Sequence, residues 1–279
     1  METITQISDG GGDCWSLTES RSRHLSGLVE SIWHFEGTLT YARERHLPNG
    51  LLELVVQLGD RFRFVKDGVQ ERCPAACLTG LQTGSTVIEA SPHRSCVLGI
   101  RLYPAGAYPV IGSPLHESTG RLVDLDDLVG RAANELAERC VDSPNAESRV
   151  RCASHWVSER IAHSCGIDPR VAWAAARIER NHGMVTIARL QEQTGLSKKG
   201  LIEAFREQIG VAPKLYARIM RFRRALTLLH EGGSSLAEVA VTVGYYDQPH
   251  MNLDFRELAG LAPRDFLAAT RYSPTSMVG

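Results

Sequence analysis

The 279-residue sequence predicts an α+β protein. We expect an N-terminal β-rich domain of barrel-like or sandwich type, helices after it, and a C-terminal all-α domain with two helix-turn-helix units on a linker helix. Short apolar runs fill the first half, the hydrophobic period then becomes helical, and two nearly identical nine-residue strings occur near the C-terminus. We divide the chain into residues 1–125, a helical linker at 126–167, and residues 168–272.

Residues 30–125 are rich in strand signals. The runs are LLELVVQL (51–58), RFRFV (61–65), TVIEA (86–90) and CVLGIRLY (96–103). Turn residues such as Pro48-Asn49-Gly50 bound them, and closely spaced short strands are typical of small barrels and sandwiches. In 51–58, the alternation puts Leu52, Leu54 and Val56 on one face and Glu53 and Gln57 on the other.

The period changes from about residue 123 onwards. Apolar residues recur at three- and four-residue steps in LDDLVGRAANELAERC (125–140), ESRVRCASHWVSERIAH (147–163) and PRVAWAAARIERNHG (169–183), which predicts helices. The acidic cluster Asp124, Asp126 and Asp127 is typical of a helix start. Asp168 is a candidate N-cap, with Pro169 in the first helical position.

The string FREQIGVAP (205–213) returns as FRELAGLAP (255–263). IARLQEQTG (187–195) aligns with LAEVAVTVG (236–244), so each copy predicts a short helix, a turn at glycine and a second helix. Ser197 and Asp247 are candidate N-caps of the second helices. We expect Ala188 and Ala237 to allow close approach of the two helices in each unit.

Residues 212–232 join the two copies as a predicted linker helix with an apolar stripe. At 1.5 Å per residue, a helix of nearly twenty residues spans about 28 Å. Successive major grooves on one face of DNA lie about 34 Å apart. One chain could therefore hold two recognition helices at neighbouring groove segments.

These residues resemble the DNA-binding domain of the AraC/XylS transcription regulators. The resemblance covers residues 168–272 and includes L-S-x-x-x-L-x-x-x-F (196–205), G-Y-x-D-x-x-H (244–250) and G-x-x-P-x-x-F (260–266). Residues 47–59 and 99–117 resemble a poorly characterised β-rich domain that is fused to some members. The resemblance implies a sequence-specific DNA-binding regulator, controlled by a small-molecule effector or by dimerisation through the N-terminal domain.

The candidate DNA-binding residues lie on the two projecting helices and the linker helix. They are Ser197, Lys198, Lys199, Ile202, Glu203, Arg206, Arg221, Arg224, Gln248, His250, Asn252 and Arg256. Gln and Asn can pair with adenine and Lys with guanine, whereas Arg side chains often contact phosphate. Family members usually carry Arg where this chain has Glu203 and Leu253, so a degenerate member that acts through protein contacts is an alternative.

Polar residues of the N-terminal domain form a candidate ligand-binding set: Trp33, His46, Glu53, Gln57, Arg101, Tyr103 and Tyr108. Ligand pockets combine an apolar lining with a few placed polar groups. An alternative is a thiol, metal or redox sensor that uses Cys73 and Cys77, with His93 or Cys96. Core or rim positions are the ordinary explanation for both sets.

Composition and charge limit the partners. Residues 168–279 carry 15 Lys and Arg against 11 Asp and Glu, whereas residues 1–167 carry 16 against 21. A basic C-terminal part suits a polyanion partner such as double-stranded DNA. We expect a cytoplasmic protein without a membrane segment, a catalytic site, a cofactor or a metal, because no apolar run, signal pattern or nucleophile motif is present in the sequence. The resemblance to the AraC/XylS regulators implies a homodimer.

Overall fold

The computed structural model describes residues 2–8, 14–38, 43–66, 69–89, 91, 93–269, 271–273 and 275–278. Thirteen strands and eleven α-helices form in this part of the chain. No helix among these residues is long and apolar enough to cross a membrane. The predicted fold class is confirmed: two antiparallel sheets form the N-terminal region, and helices follow.

The first sheet has seven strands. In sheet order they are β1 (Glu2–Ser8), β2 (Cys14–Arg21), β3 (Val29–Thr38), β10 (Ser95–Leu102), β5 (Leu52–Gln57), β8 (Ala76–Thr79) and β11 (Leu122–Asp124). β5 alternates between fully buried and half-buried positions. Leu52, Leu54 and Val56 belong to the core, as the sequence predicts, and the opposite face carries Glu53 and Gln57.

The second sheet has six strands. In sheet order they are β12 (Arg271–Ser273), β13 (Ser276–Val278), β4 (Arg43–His46), β9 (Thr86–Glu89), β6 (Arg63–Lys66) and β7 (Val69–Arg72). β13 lies after the C-terminal helices, yet it pairs with β4, with Met277 opposite Arg45. The final strands therefore return to the N-terminal sheet, which the sequence did not predict.

Four helices lie along the chain between β10 and the C-terminal helices, with β11 between the first and the second. They are α1 (Pro104–Ile111), α2 (Leu125–Val129), α3 (Arg131–Asp142) and α4 (Ala146–Ala162). α1 lies inside the region that we predicted as β-rich, and Pro104 in its first turn starts it. Asp124 caps α2 by accepting a hydrogen bond from the Asp126 backbone N–H, so the acidic cluster is a helix start.

The C-terminal helices are α5 (Pro169–Arg180), α6 (Ile187–Thr194), α7 (Lys198–Ile209), α8 (Pro213–Glu231), α9 (Leu236–Thr242), α10 (Gln248–Ala259) and α11 (Pro263–Ala268). Asp168 is the N-cap of α5 with Pro169 after it, as predicted. The core is continuous from the sheets through α4 and α5 into α8 and α10. The linker stripe is confirmed, since Ile219, Phe222 and Leu226 are fully buried on α8.

Candidate nucleic-acid interface and inter-sheet cavity

The first helix-turn-helix unit consists of α6 and α7. Gly195 ends α6 in the left-handed conformation with φ 68°, a geometry that glycine adopts without strain. The Ser197 side chain then accepts a hydrogen bond from the Gly200 N–H at 3.1 Å and starts α7. Leu201 and Phe205 are fully buried. The opposite side of α7 is therefore the face that projects from the domain.

The second unit, α9 and α10, repeats this construction. Gly244 has φ 79° in the turn, and the Asp247 carboxylate caps α10 by accepting from the His250 N–H at 2.8 Å. Met251 and Phe255 are buried at the positions that correspond to Leu201 and Phe205. Both predicted N-caps are confirmed, and the repeat in the sequence is a repeat in structure.

The expectation for Ala188 and Ala237 is wrong. Both side chains are exposed on the outer sides of α6 and α9. The contact between the helices of the second unit uses Val239 and Ala240 instead, which are buried. Ala237 and Ala240 are three residues apart on α9 and therefore lie on neighbouring parts of the helix surface. The alignment of the two copies alone did not determine which of the two alanines faces inward.

A buried polar network fixes α10 against α8. The Asp254 carboxylate accepts from Arg218 Nε at 2.6 Å and from the Tyr245 hydroxyl at 3.0 Å. Burial raises the pKa of Tyr245, with the Asp254 charge adding to the effect, so this phenol stays a donor. The Phe222 and Phe255 rings pack edge to face at 4.9 Å beside it. The second recognition helix is thus positioned by α8.

The structure separates the predicted DNA-binding residues into two groups. The exposed residues are Ser197, Lys198, Lys199, Glu203, Arg206, His250 and Arg256. The half-buried residues are Ile202, Arg221, Arg224, Gln248 and Asn252. Arg221 has an internal role, since its guanidinium donates to the Gly183 carbonyl at 3.3 Å and lies 5.4 Å from the Tyr245 ring centroid. The exposed group is the set available to a duplex.

The two residues that depart from the family pattern are both on projecting faces. Glu203 forms an ion pair with Lys199 at 3.7 Å, one helical turn away. Leu253 is 52% exposed on α10, and Tyr246 is 91% exposed just before that helix. An apolar side chain on such a face can contact a thymine methyl group.

A cavity of about 240 Å³ lies between the two sheets. Trp33, Phe35 and Val97 come from the first sheet, whereas Phe64 and Ile88 come from the second. Of the predicted ligand-binding residues, the structure brings Trp33, His46, Glu53, Gln57 and Arg101 together on this lining. Tyr103 and Tyr108 lie outside it, and the Tyr108 hydroxyl donates to Glu207 of α7 at 3.2 Å.

One end of the cavity is charged. Glu53 Oε1 accepts from Trp33 Nε1 at 2.9 Å and from Arg101 Nε at 3.0 Å, and Arg101 also reaches Glu19 at 3.4 Å. Gly99 lies under the Trp33 indole, where a Cβ would collide with the ring. Glu44 was not among the predicted ligand-binding residues. It alternates with Arg45 in β4 and therefore faces the cavity with His46.

Burial by itself lowers the pKa of His46, but the Glu44 carboxylate outweighs it with help from Glu53, and the pKa ends above its ordinary value. The distance from His46 Nε2 to Glu44 Oε1 is 3.6 Å.

Cys73 and Cys77, the predicted sensor pair, do not have the surroundings of a reactive thiolate. Cys73 and Cys77 are buried, and burial raises the pKa of Cys73 to about 11 and that of Cys77 further. Cys96 forms a cluster with His34 and Glu36 whose atoms lie within 4.8 Å. The Arg149 guanidinium contacts His34 Nε2 at 2.9 Å and Cys96 Sγ at 3.3 Å, which places a positive charge where a metal cation would bind.

Residues 44–51 contact both the cavity and the C-terminal helices. Glu44, His46 and Asn49 line the cavity. The intervening Arg45 donates from Nη1 to the Ala259 carbonyl at the end of α10, at 3.3 Å. Asn49 accepts from Arg223 of α8 at 3.3 Å through its carbonyl, and Gly50 is packed against Met220 so closely that a Cβ would collide with it.

Comparison with known proteins agrees with this architecture. A helix-turn-helix domain family matches residues 190–269, and a domain of unknown function (DUF6597) matches residues 21–124. A putative AraC-like transcription regulator of Streptomyces lividans is 30% identical over 100 residues, 36% of this chain and 33% of that protein. The HTH-type transcriptional regulator GbdR of Pseudomonas aeruginosa is 25% identical over 140 residues, 50% of this chain and 38% of that protein.

Among solved structures, a probable AraC family transcriptional regulator from Rhodopseudomonas palustris CGA009 is 27% identical, with a TM-score of 0.33; the match covers 36% of this chain and 96% of that one. The chain spans only about a third of the length of the curated relatives it matches. The likeness is concentrated in the two helix-turn-helix units, which are similar to those of AraC-like transcription regulators.

Proposed function

We propose that this protein is a sequence-specific DNA-binding transcription regulator whose two recognition helices, α7 and α10, enter neighbouring major-groove segments. The observation that carries the proposal is the mounting of both helices on α8, which has 19 residues and is about 28 Å long. That length is close to the roughly 34 Å repeat of the major groove on one face of DNA.

The charges on the projecting faces support contact with a duplex. Lys198, Lys199 and Arg206 are exposed on α7, and Arg256 is exposed on α10. Such side chains neutralise phosphates and release counterions. His250, which is exposed on α10, and Leu253 then stand where base edges would be read.

We further infer that a small-molecule effector controls DNA binding from the cavity. Residues 44–51 connect the two: Glu44, His46 and Asn49 line the cavity. The Arg45 side chain donates to α10, and the Asn49 carbonyl accepts from Arg223 of α8. A ligand that binds better to one arrangement of this segment would shift the population of DNA-binding states. Homodimerisation through the N-terminal domain stays a prediction.

The test is binding of the full chain to the DNA upstream of its own gene, against scrambled DNA, across a salt series. We expect preference for the native DNA and a steep loss of affinity as salt rises. Lys198→Ala combined with Lys199→Ala is expected to reduce the slope of log affinity against log salt by about 1 to 2. Arg131→Ala on α3, also exposed and positively charged, is the matched control and leaves the slope unchanged. Equal affinity for native and scrambled DNA at every salt concentration would refute sequence-specific binding.

A further inference from the structure

The N-terminal half of the chain holds the C-terminal end of the first recognition helix. α7 ends at Gly210, which has φ 102°. The Thr119 hydroxyl donates to the Gly210 carbonyl at 2.8 Å and lies 3.3 Å from the Leu115 carbonyl. The shorter distance favours Gly210, and Leu115 keeps the Ser118 hydroxyl as a donor at 2.9 Å. One hydrogen bond therefore joins α7 to a residue 91 positions earlier in the chain.

The second recognition helix is held at the same turn. Arg45 Nη1 donates to the Ala259 carbonyl at 3.3 Å, and Gly260 with φ 72° follows. Gly260 corresponds to Gly210, so both contacts fall on the repeated turn G-x-A-P. A Cβ built on Gly210 would lie 3.0 Å from the Thr119 hydroxyl. A Cβ built on Gly260 would lie 3.5 Å from Arg45 Nη1. The same side of each turn therefore faces a donor from the N-terminal half.

Residues 80–85, between β8 and β9, support both donors. Two backbone hydrogen bonds of 3.0 Å join this segment to the two residues after Thr119. At the other end of the segment, the Ser85 hydroxyl accepts from Arg45 Nη1 at 3.3 Å. Gln82, in the middle, lines the inter-sheet cavity. One short segment thus supports the contacts to both recognition helices and borders the cavity.

Reading two groove segments requires a fixed distance between the two recognition helices. Apolar packing of α7 and α10 is non-directional, whereas a hydrogen bond to a helix end has a preferred direction. One base pair adds about 3.4 Å and about 34° between two contacted segments of a duplex. A movement of either helix end by a few ångströms would therefore put that helix out of register with its bases.

We propose that Thr119 and Arg45 are positioning residues for DNA recognition, which set the spacing of α7 and α10 by holding the same turn in each unit. This inference rests on the proposed DNA-binding function and adds the part that the N-terminal half takes in it. Because Gln82 lines the cavity, a ligand bound there would act on this spacing through residues 80–85.

The test is binding of the full chain to its native DNA and to two altered versions of that DNA. In these, one base pair is added or removed between the two segments that the wild-type chain protects from hydroxyl radicals. Thr119→Val removes the hydroxyl with little change in shape, and Thr119→Ser keeps it. We expect the wild-type chain and Thr119→Ser to prefer the native spacing about tenfold, and Thr119→Val to lose most of this preference. A loss of stability alone would weaken binding to all three DNAs by the same factor and leave the preference unchanged.

Arg45→Ala tests the second contact in the same way and is expected to reduce the preference for the native spacing about threefold to tenfold. Arg43→Ala is the matched control. Arg43 is exposed two residues earlier on the same face of β4, and it pairs with Glu89 at 3.7 Å. This variant should keep the full preference. Circular dichroism of each variant checks that it is folded.

Amide hydrogen exchange of the free chain tests the contacts without DNA. Thr119→Val is expected to accelerate exchange in the last turn of α7 about threefold to tenfold and to leave the last turn of α10 unchanged. The hydrogen bond from Tyr108 to Glu207 remains in this variant, so the effect should stay within the last turn of α7. Unchanged exchange at the end of α7 would overturn the proposal.

The DNA assay separates the failure of this inference from the failure of the proposed function. If the wild-type chain prefers its native DNA but Thr119→Val and Arg45→Ala keep the full spacing preference, the positioning role is wrong and the DNA-binding function stands. A wild-type chain that binds all three spacings equally also overturns the positioning role. If it binds native and scrambled DNA equally, the proposed function fails and the positioning role fails with it.

Discussion

Asp254 joins α10 to α8 and to Tyr245 through buried polar contacts. Its side chain is 5% exposed and accepts from Arg218 and from the Tyr245 hydroxyl. Asp254→Ala leaves that buried hydroxyl without an acceptor, which costs about 1–3 kcal/mol. Loss of a partner from a buried ion pair costs about 3–5 kcal/mol, but Arg218 is 30% exposed and retains Glu257, so the lower part of that range applies. We expect the free energy of unfolding to fall by about 4–6 kcal/mol in total.

Urea denaturation of the full chain, followed by circular dichroism, measures this change. Glu257→Ala is the matched control, because it removes the other carboxylate from Arg218 at a half-exposed site and is expected to cost less than about 1 kcal/mol. Asp254→Asn keeps an acceptor for Tyr245 and should lie between the two. If Asp254→Ala and Glu257→Ala have the same stability, α10 is not anchored by this network.

Three further predictions concern charge, coupling and pH. Arg206→Ala, on the exposed face of α7, is expected to weaken binding to all DNA sequences and to reduce the slope of log affinity against log salt by about 1. Arg221→Ala is expected to lower the urea midpoint instead, because the Arg221 side chain packs internally against Tyr245. Equal salt slopes for the two variants would contradict this assignment. Arg45→Ala removes the hydrogen bond from Arg45 to the Ala259 carbonyl. For a hydrogen bond worth about 1 kcal/mol, we expect amide hydrogen exchange in the last turn of α10 to accelerate by about threefold to tenfold. Unchanged exchange there would show that β4 does not hold α10. Burial lowers the pKa of His34 from 6.5 to about 4, so between these pH values the unfolded chain binds a proton that the folded chain does not. The free energy of unfolding therefore falls by at most about 3 kcal/mol as the pH drops from 6.5 to about 4. In urea titrations, the free energy of unfolding of His34→Gln should depend less steeply on pH over this range.

The helical part of the fold was predictable because its signals are local. Each helix-turn-helix unit contains the same three features. A glycine in the left-handed conformation forms the turn, and a capping side chain then accepts from the N–H three residues further on. A buried Phe follows at the same distance from the capping residue in both units. The alternation in β5 is local as well, and it placed Glu53 and Gln57 on the cavity face. Each of these features depends on residues that are neighbours in the sequence.

The remaining features depend on long-range pairing. β13 joins β4 across more than two hundred residues, with Ser276 opposite His46, and the Ser276 hydroxyl donates to Glu44. Nothing in residues 271–278 alone indicates which edge they pair with. Glu44 and Arg45 were overlooked because a four-residue strand is too short to show a clear period.

Hydroxyl-radical footprinting of the full chain on the DNA upstream of its gene tests the central claim most directly. Two helix-turn-helix units on one α8 should protect two segments on the same face of the duplex, with centres about 10 base pairs apart. Disruption of α10 through Asp254→Ala should remove one segment and retain the other. A single protected segment in the wild-type protein, or protection that is the same on scrambled DNA, would contradict the claim that one chain reads two neighbouring grooves.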